Sequence, residues 1–206
     1  MPDKLKEQAA LIVRHPEAGA AFSAYEQVLS DGRRISFSEM HRYGASVLAD
    51  SPEVVPDCFF HLFMENFAKP STLVFRTDLL RQDLFKAKHV PVEDRDTLLR
   101  IAAKASVLYC GKSLVDKYLL QGSMGEERLR VIDTREIVQK ENRRNFDALF
   151  REVRWRKLFQ RAVTTTKRQR VSQCRKRKQY GPMVLASLDY LLYRFLGIDI
   201  RGLFIR

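Results

Sequence analysis

The feature that most constrains this chain is where its charge sits. Residues 128–178 carry 18 Lys and Arg against 5 Asp and Glu, whereas residues 1–127 carry 16 against 18. The formal net charge of +12 is therefore the property of about a quarter of the chain. Like charges at that density repel one another and resist dehydration, so the basic stretch belongs in water or against a polyanion. The core has to come from the rest of the sequence.

That remainder is adequate. The 206 residues are 45% hydrophobic and 30% charged, enough for one sizeable domain with an extension and not the composition of a disordered chain. Gly (9) and Pro (7) are few, which argues against a loop-rich all-β fold. Helical spacing starts at once: Leu5, Ala9, Ile12 and Val13 share one face. After His15 and Pro16, residues 17–29 align Ala20, Ala21, Ala24, Tyr25 and Val28, and Asp31 with Gly32 ends the run as a helix C-terminus would. Ser36 with Glu39 three residues on fits a capping box opening a third helix. Residues 58–64, the most apolar stretch, are too few to span a bilayer and predict a central buried helix. Residues 71–88 follow as helix, with a short strand over 72–75 as the alternative. Pro91 then precedes Glu93, Asp94 and Asp96, acids suited to a helix N-terminus, and that helix is expected to run to Tyr109 or past Gly111 to Leu120.

Residues 121–125, QGSMG, make the clearest break and coincide with the change in charge. Beyond them, residues 126–161 read as one long helix striped by Phe146, Leu149, Phe150 and Val153. Thr164, Thr165 and Thr166 weaken it through β-branching. Gly181 and Pro182 precede a short, very apolar helix over 183–196. The expected fold class is all-α: an irregular multi-helix domain over 1–121, a long basic helical extension over 122–180 and an apolar C-terminal anchor over 181–206.

The basic stretch supplies the candidate site. Arg143, Arg144, Arg151, Arg154, Arg156, Lys157 and Arg161 lie on the predicted helix, and Lys167, Arg168, Arg170, Arg175, Lys176, Arg177 and Lys178 follow almost without acids. Phosphate backbones attract such a density, each neutralised phosphate releasing counterions. Arginine outnumbers lysine on the helical half, which suits bidentate phosphate contact. The last helix is apolar around most of its circumference and must be covered by its own domain, a partner or an anionic membrane surface. Trp155, Leu188, Leu192, Phe195 and Phe204 are the candidates for that partner or membrane interface.

Other motifs fall away. Residues 172–178, SQCRKRK, resemble the end of a basic-leucine-zipper contact region, but the Asn and paired small residues that family uses upstream are missing and Gly181 and Pro182 break the helix. Gly111, Lys112 and Ser113 resemble the end of a phosphate-binding loop that needs a Gly where Ser106 stands. The L-Y-R of residues 192–194 resembles the signature of small mitochondrial helical proteins, at the wrong end of the chain for that fold. His15, His41, His61 and His89 share no metal-ligand spacing, and Cys58, Cys110 and Cys174 are too scattered for a disulfide framework or zinc site. No nucleophile elbow, zinc-helix motif or dinucleotide turn is present.

No metal, cofactor or small-molecule substrate is implied, and no catalytic set emerges. The N-terminal residues lack the apolar core of a secretory signal, and the cysteine usage points to a reducing interior compartment, mitochondrial matrix or nucleus included. The expectation is a non-catalytic, RNA-binding structural subunit of a ribonucleoprotein such as an organellar ribosome. The alternative is a peripheral accessory subunit of a membrane-bound respiratory or ATP synthase complex, its basic stretch on anionic lipid or an acidic partner protein.

Overall fold

The computed structural model describes residues 3–49, 53–82, 85–118, 128–196 and 199. The chain divides into two compact units, one of Met1–His89 with Glu93–Ser123 and the other of Val90–Val92 with Met124–Arg206.

The first unit overturns the all-α expectation. Its centre is a four-stranded mixed sheet. Strand β1 (Ala18–Val28) is the middle strand, and β4 (Ser106–Tyr118) runs parallel to it from Ala18 to Val28. A strand has two edges, so β2 (Arg34–Ile35) and β3 (Leu73–Phe75) share the other one; both are antiparallel, β3 beside residues 20–22 and β2 beside 27–28. Helix α1 (Lys4–Arg14) packs Leu11 onto Ala18, Ala21 and Leu108.

The segment expected as a helix over 17–29 is this central strand. Alanines favour a helix in isolation, but residues 18–25 are buried without alternation. A strand covered on both faces loses the period of two that marks a half-buried strand, and tertiary packing then overrides propensity. Gly19 shows how close the neighbours come: a Cβ there would lie 2.7 Å from Cγ2 of Ile101 and 2.9 Å from Cβ of Ala105. Ile101 sits on α6 (Glu93–Ala102), which ends there instead of running on to 109 or 120. The chain then turns into β4, which carries the strand-favouring Val107, Tyr109, Val115 and Tyr118. Gly111, at φ +68°, lies where the pairing of β4 with β1 slips between Phe22 and Ala24.

Between these strands two local signals hold, while the run expected as helix over 71–88 gives the strand β3 and only a short α-helix. Ser36 caps α2 (Phe37–Met40) in a capping box, its backbone N–H donating to Glu39 Oε2 at 2.8 Å. Helix α3 (Arg42–Ala49) follows, and α4 (Cys58–Met64) is the buried helix expected at 58–64, with Phe59, Leu62 and Phe63 in the core. The buried guanidinium of Arg95 donates to the carbonyls of Leu62 and, at 2.9 Å, Phe63, satisfying the C-terminal end of α4. A short helix α5 (Thr77–Gln82) completes the described α-helices of this unit.

The second unit is helical: α7 (Arg128–Asn145), a 3₁₀ turn (Asp147–Arg151), α8 (Val153–Lys176) and α9 (Tyr180–Leu196), with α8 packed on both other helices. The single helix expected over 126–161 is broken instead at Phe146 (φ −121°, ψ 36°) and at the extended Glu152 that starts α8. The threonine triplet does not interrupt α8. The hydroxyls of Thr164, Thr165 and Thr166 donate to the carbonyls of Gln160, Arg161 and Ala162, so each is satisfied within the helix. The segment expected as a separate anchor over 181–206 contributes α9, which packs on α8 inside this unit. Phe204 lies outside the described residues. Among the described residues no helix is long and apolar enough to cross a membrane.

Candidate polyanion groove on α8 and α9

The groove depends on which way the cations of α8 point. Lys167 and Arg170, both expected to face a nucleic acid, are turned inward and buried. Lys167 Nζ lies 2.5 Å from Asp189 on α9, 3.0 Å from Glu136 on α7 and 3.0 Å from Asp199. Arg170 lies 2.8 Å from Glu136 and 2.6 Å from Asp133, and Lys140 joins Glu136 (2.7 Å) to Asp199. Burial alone would lower the basicity of Lys167 and Arg170, but Glu136 and the other carboxylates outweigh it and hold both above their ordinary values. Burial likewise pushes Glu136 and Asp199 upward, yet the cations around them prevail and bring each down to about 2.

Glu136, Asp189 and Asp199 place ligand atoms within 4.8 Å of one another, the grouping that a divalent ion would take. The Lys167 ammonium stands among all three. A protein cation thus already does the neutralising, and the cluster pins α7, α8 and α9 together.

With those two side chains inward, the other cations of α8 face out. Lys157, Arg161 and Arg168 line a groove of about 540 Å³ together with Gln160, Thr164 and Thr165, spaced in steps of three and four along one helix face. Tyr190, Arg194 and Phe195 of α9 form the other wall. The lining holds four cations and no carboxylate, and α8 itself contains no Asp or Glu. Arg154, Arg161, Arg168 and Arg175 are exposed and recur every seven residues, about 10.5 Å apart along the axis.

The remaining expected site residues divide by environment. Arg144, Arg151, Arg156, Lys176, Arg177 and Lys178 are exposed. Arg143 is half-buried, bonded to Asp147 with its guanidinium 4.5 Å from the Phe150 ring centre. Arg154 pairs with Glu152 at 2.6 Å and covers the Trp155 ring at 4.2 Å. Trp155, expected at an interface, is only 7% exposed, whereas Leu188 and Phe195 are exposed and Leu192 is half-buried.

Tyr190, Arg194, Gln160, Thr164 and Thr165 were not among the site residues expected from sequence. Their spacing becomes a signal only once α8 is known to continue through the threonines and α9 to lie beside it.

The first unit holds buried polar contacts but a different kind of hollow. Tyr25 Oη is 2.7 Å from His41 Nε2, and His41 Nδ1 is 3.1 Å from Glu65. His89 and Arg100 flank Asp96 at 2.9 and 3.1 Å. Burial raises the Tyr25 phenol far above its ordinary value and Tyr25, His41, His89 and Asp96 are all buried, so these contacts tie elements together within the core. A hollow of about 330 Å³ gathers Ser36, Ser38, Ser113, Tyr109 and Glu26 without a histidine or a cation. No protein family, curated protein or solved structure matches the chain.

Proposed function

We propose that this chain is a non-catalytic, RNA-binding subunit of a ribonucleoprotein assembly, and that the groove of α8 and α9 takes an unpaired stretch of RNA. One observation carries the reading: four cations without a carboxylate share a groove with Tyr190 and Phe195. Lys157, Arg161, Arg168 and Arg194 neutralise phosphates; the two rings offer faces on which splayed bases stack, a combination used for single strands more than for duplexes. The exposed arginines of α8 extend the cationic track beyond the groove. The groove offers no nucleophile paired with a base, which favours binding over chemistry.

The test is anisotropy of labelled single-stranded RNA with the full chain over a salt series. Tight binding with a steep salt slope is expected. Replacing Arg161 and Arg168 together by Gln should weaken it by more than about tenfold and reduce the slope by about 1.4, two contacts at about 0.7 each. Binding that ignores salt, or that survives this double substitution unchanged, overturns the reading. Emission of Trp155, the single tryptophan, checks that the second unit remains folded.

A further inference from the structure

We propose that the outer face of α9 is a docking surface for an anionic phospholipid bilayer, on which the helix lies in the plane of the head groups. The face is defined by geometry. At 100° per residue, Val184, Leu188, Leu191 and Phe195 fall along one line, with Leu185 and Leu196 at its edge, an arc of about 140° without a polar side chain. These side chains are exposed: Val184 to 62%, Leu188 and Leu191 to 47% and Phe195 to 73%. Apolar arcs of that width are normally covered.

The charge around the arc identifies what covers it. The one acid on α9, Asp189, lies just past the edge of the arc but is buried against Lys167, and α8 carries no acid. Lys176, Arg177 and Lys178 stand exposed where the chain enters α9, and Arg194 lies exposed on the flank of the arc. An apolar face bordered by cations and free of outward carboxylates is complementary to acyl chains beneath anionic head groups. A helical partner would cover the narrower seam of a two-helix contact and leave the rim cations unanswered. With 17 residues, α9 is about 25 Å long and is not a membrane span, which fits a helix lying along the surface. This inference does not depend on the RNA reading, because the groove shares only Phe195 and the rim cation Arg194 with this face.

The experiment is co-flotation of the full chain with phosphatidylcholine vesicles, with and without phosphatidylserine. Binding is expected to require phosphatidylserine and to fall on the order of tenfold or more when Leu188 and Leu191 both become Ser, with RNA affinity and Trp155 emission unchanged. Should that pair disturb Trp155, Val184→Ser with Leu185→Ser provides the same test nearer the start of the helix. Failure to float with phosphatidylserine vesicles overturns the proposal, as does flotation that neither pair alters, since charge alone would then hold the chain. Concentration-dependent self-association removed by the same substitutions also overturns it, because a second copy would be the occupant. Loss of RNA binding through Arg161→Gln and Arg168→Gln leaves the vesicle result untouched, so the two readings fail separately.

Discussion

The two units of this chain are stabilised in different ways. In the first, Ala18, Ala20, Ala21 and Phe22 of β1, with Leu62, Phe63, Leu98 and Leu108, form an interior with no solvent exposure, and stability comes mainly from apolar area removed from water. In the second, Phe150 apart, the fully buried apolar groups are small, Val138, Ala162, Val163 and Ala186, and Lys167, Arg170, Glu136 and Asp189 are buried with them. An ionic cluster in such a place adds little net energy relative to apolar packing, since desolvation offsets the attraction. What it contributes is register: Lys167 is satisfied only when α7 and α9 present Glu136 and Asp189 to the same atom. Many of the large apolar residues of α9 face outward, so charge joins packing in aligning the three helices.

The strongest way to test this contrast is one substitution in each unit. Phe63→Ala should cost about 3–5 kcal/mol by leaving a cavity in the first unit. Lys167→Met, nearly equal in volume, should cost a similar 3–5 kcal/mol because three carboxylates lose their shared cation. Urea denaturation followed by circular dichroism and Trp155 emission measures both. The two should part on a second change: adding Asp189→Leu to Lys167→Met should recover stability, whereas no single charge change should repair the cavity of Phe63→Ala. A Lys167→Met chain as stable as the parent would mean that apolar packing alone holds the second unit.

Glycines give a smaller and opposite pair of effects. Gly19→Ala forces a Cβ against Ile101, Ala105 and Leu79, all inside 3.0 Å, and should destabilise by about 1–3 kcal/mol. Gly181 on α9 has nothing within 4 Å of such a Cβ, so Gly181→Ala should stabilise by up to about 1 kcal/mol through helix propensity. Thermal melts of the two variants give both signs.

These same features explain what could be read from the chain. Ser36 with Glu39, and the apolar run at 58–64, carry their signals locally, and both elements were legible. Charge density along 128–178 likewise gave the candidate surface without a structure. Strand β1 was not legible as a strand, because burial on both faces calls for small residues, and alanine and glycine at 18–21 look helical by spacing. Lys167 and Arg170 were indistinguishable from Arg161 and Arg168 in sequence. Their inward orientation depends on Glu136, Asp189 and Asp199, which lie 19 to 34 residues away and look unremarkable one at a time.

The smallest effect is also the most specific to the second unit. Glu136, ordinarily at 4.5, is held down to about 2 against the pull of burial, by Arg170, Lys140 and Lys167. A carboxyl lowered on folding contributes stability that is complete above its unfolded value and is lost as pH falls through its folded one. The window here is therefore about pH 5 to pH 2, and Glu136 alone should cost about 1 kcal/mol by pH 4. Asp199, also brought to about 2, should steepen the loss below that. Urea midpoints read from Trp155 at pH 7, 5 and 4 measure the effect in the unit that holds the cluster. Removing Lys167 lets Glu136 and Asp199 rise toward their ordinary values, so the Lys167→Met chain should show a shallower pH dependence over that window. An equally steep dependence in that variant would locate the acid sensitivity outside the cluster and remove the ionic half of the contrast between the units.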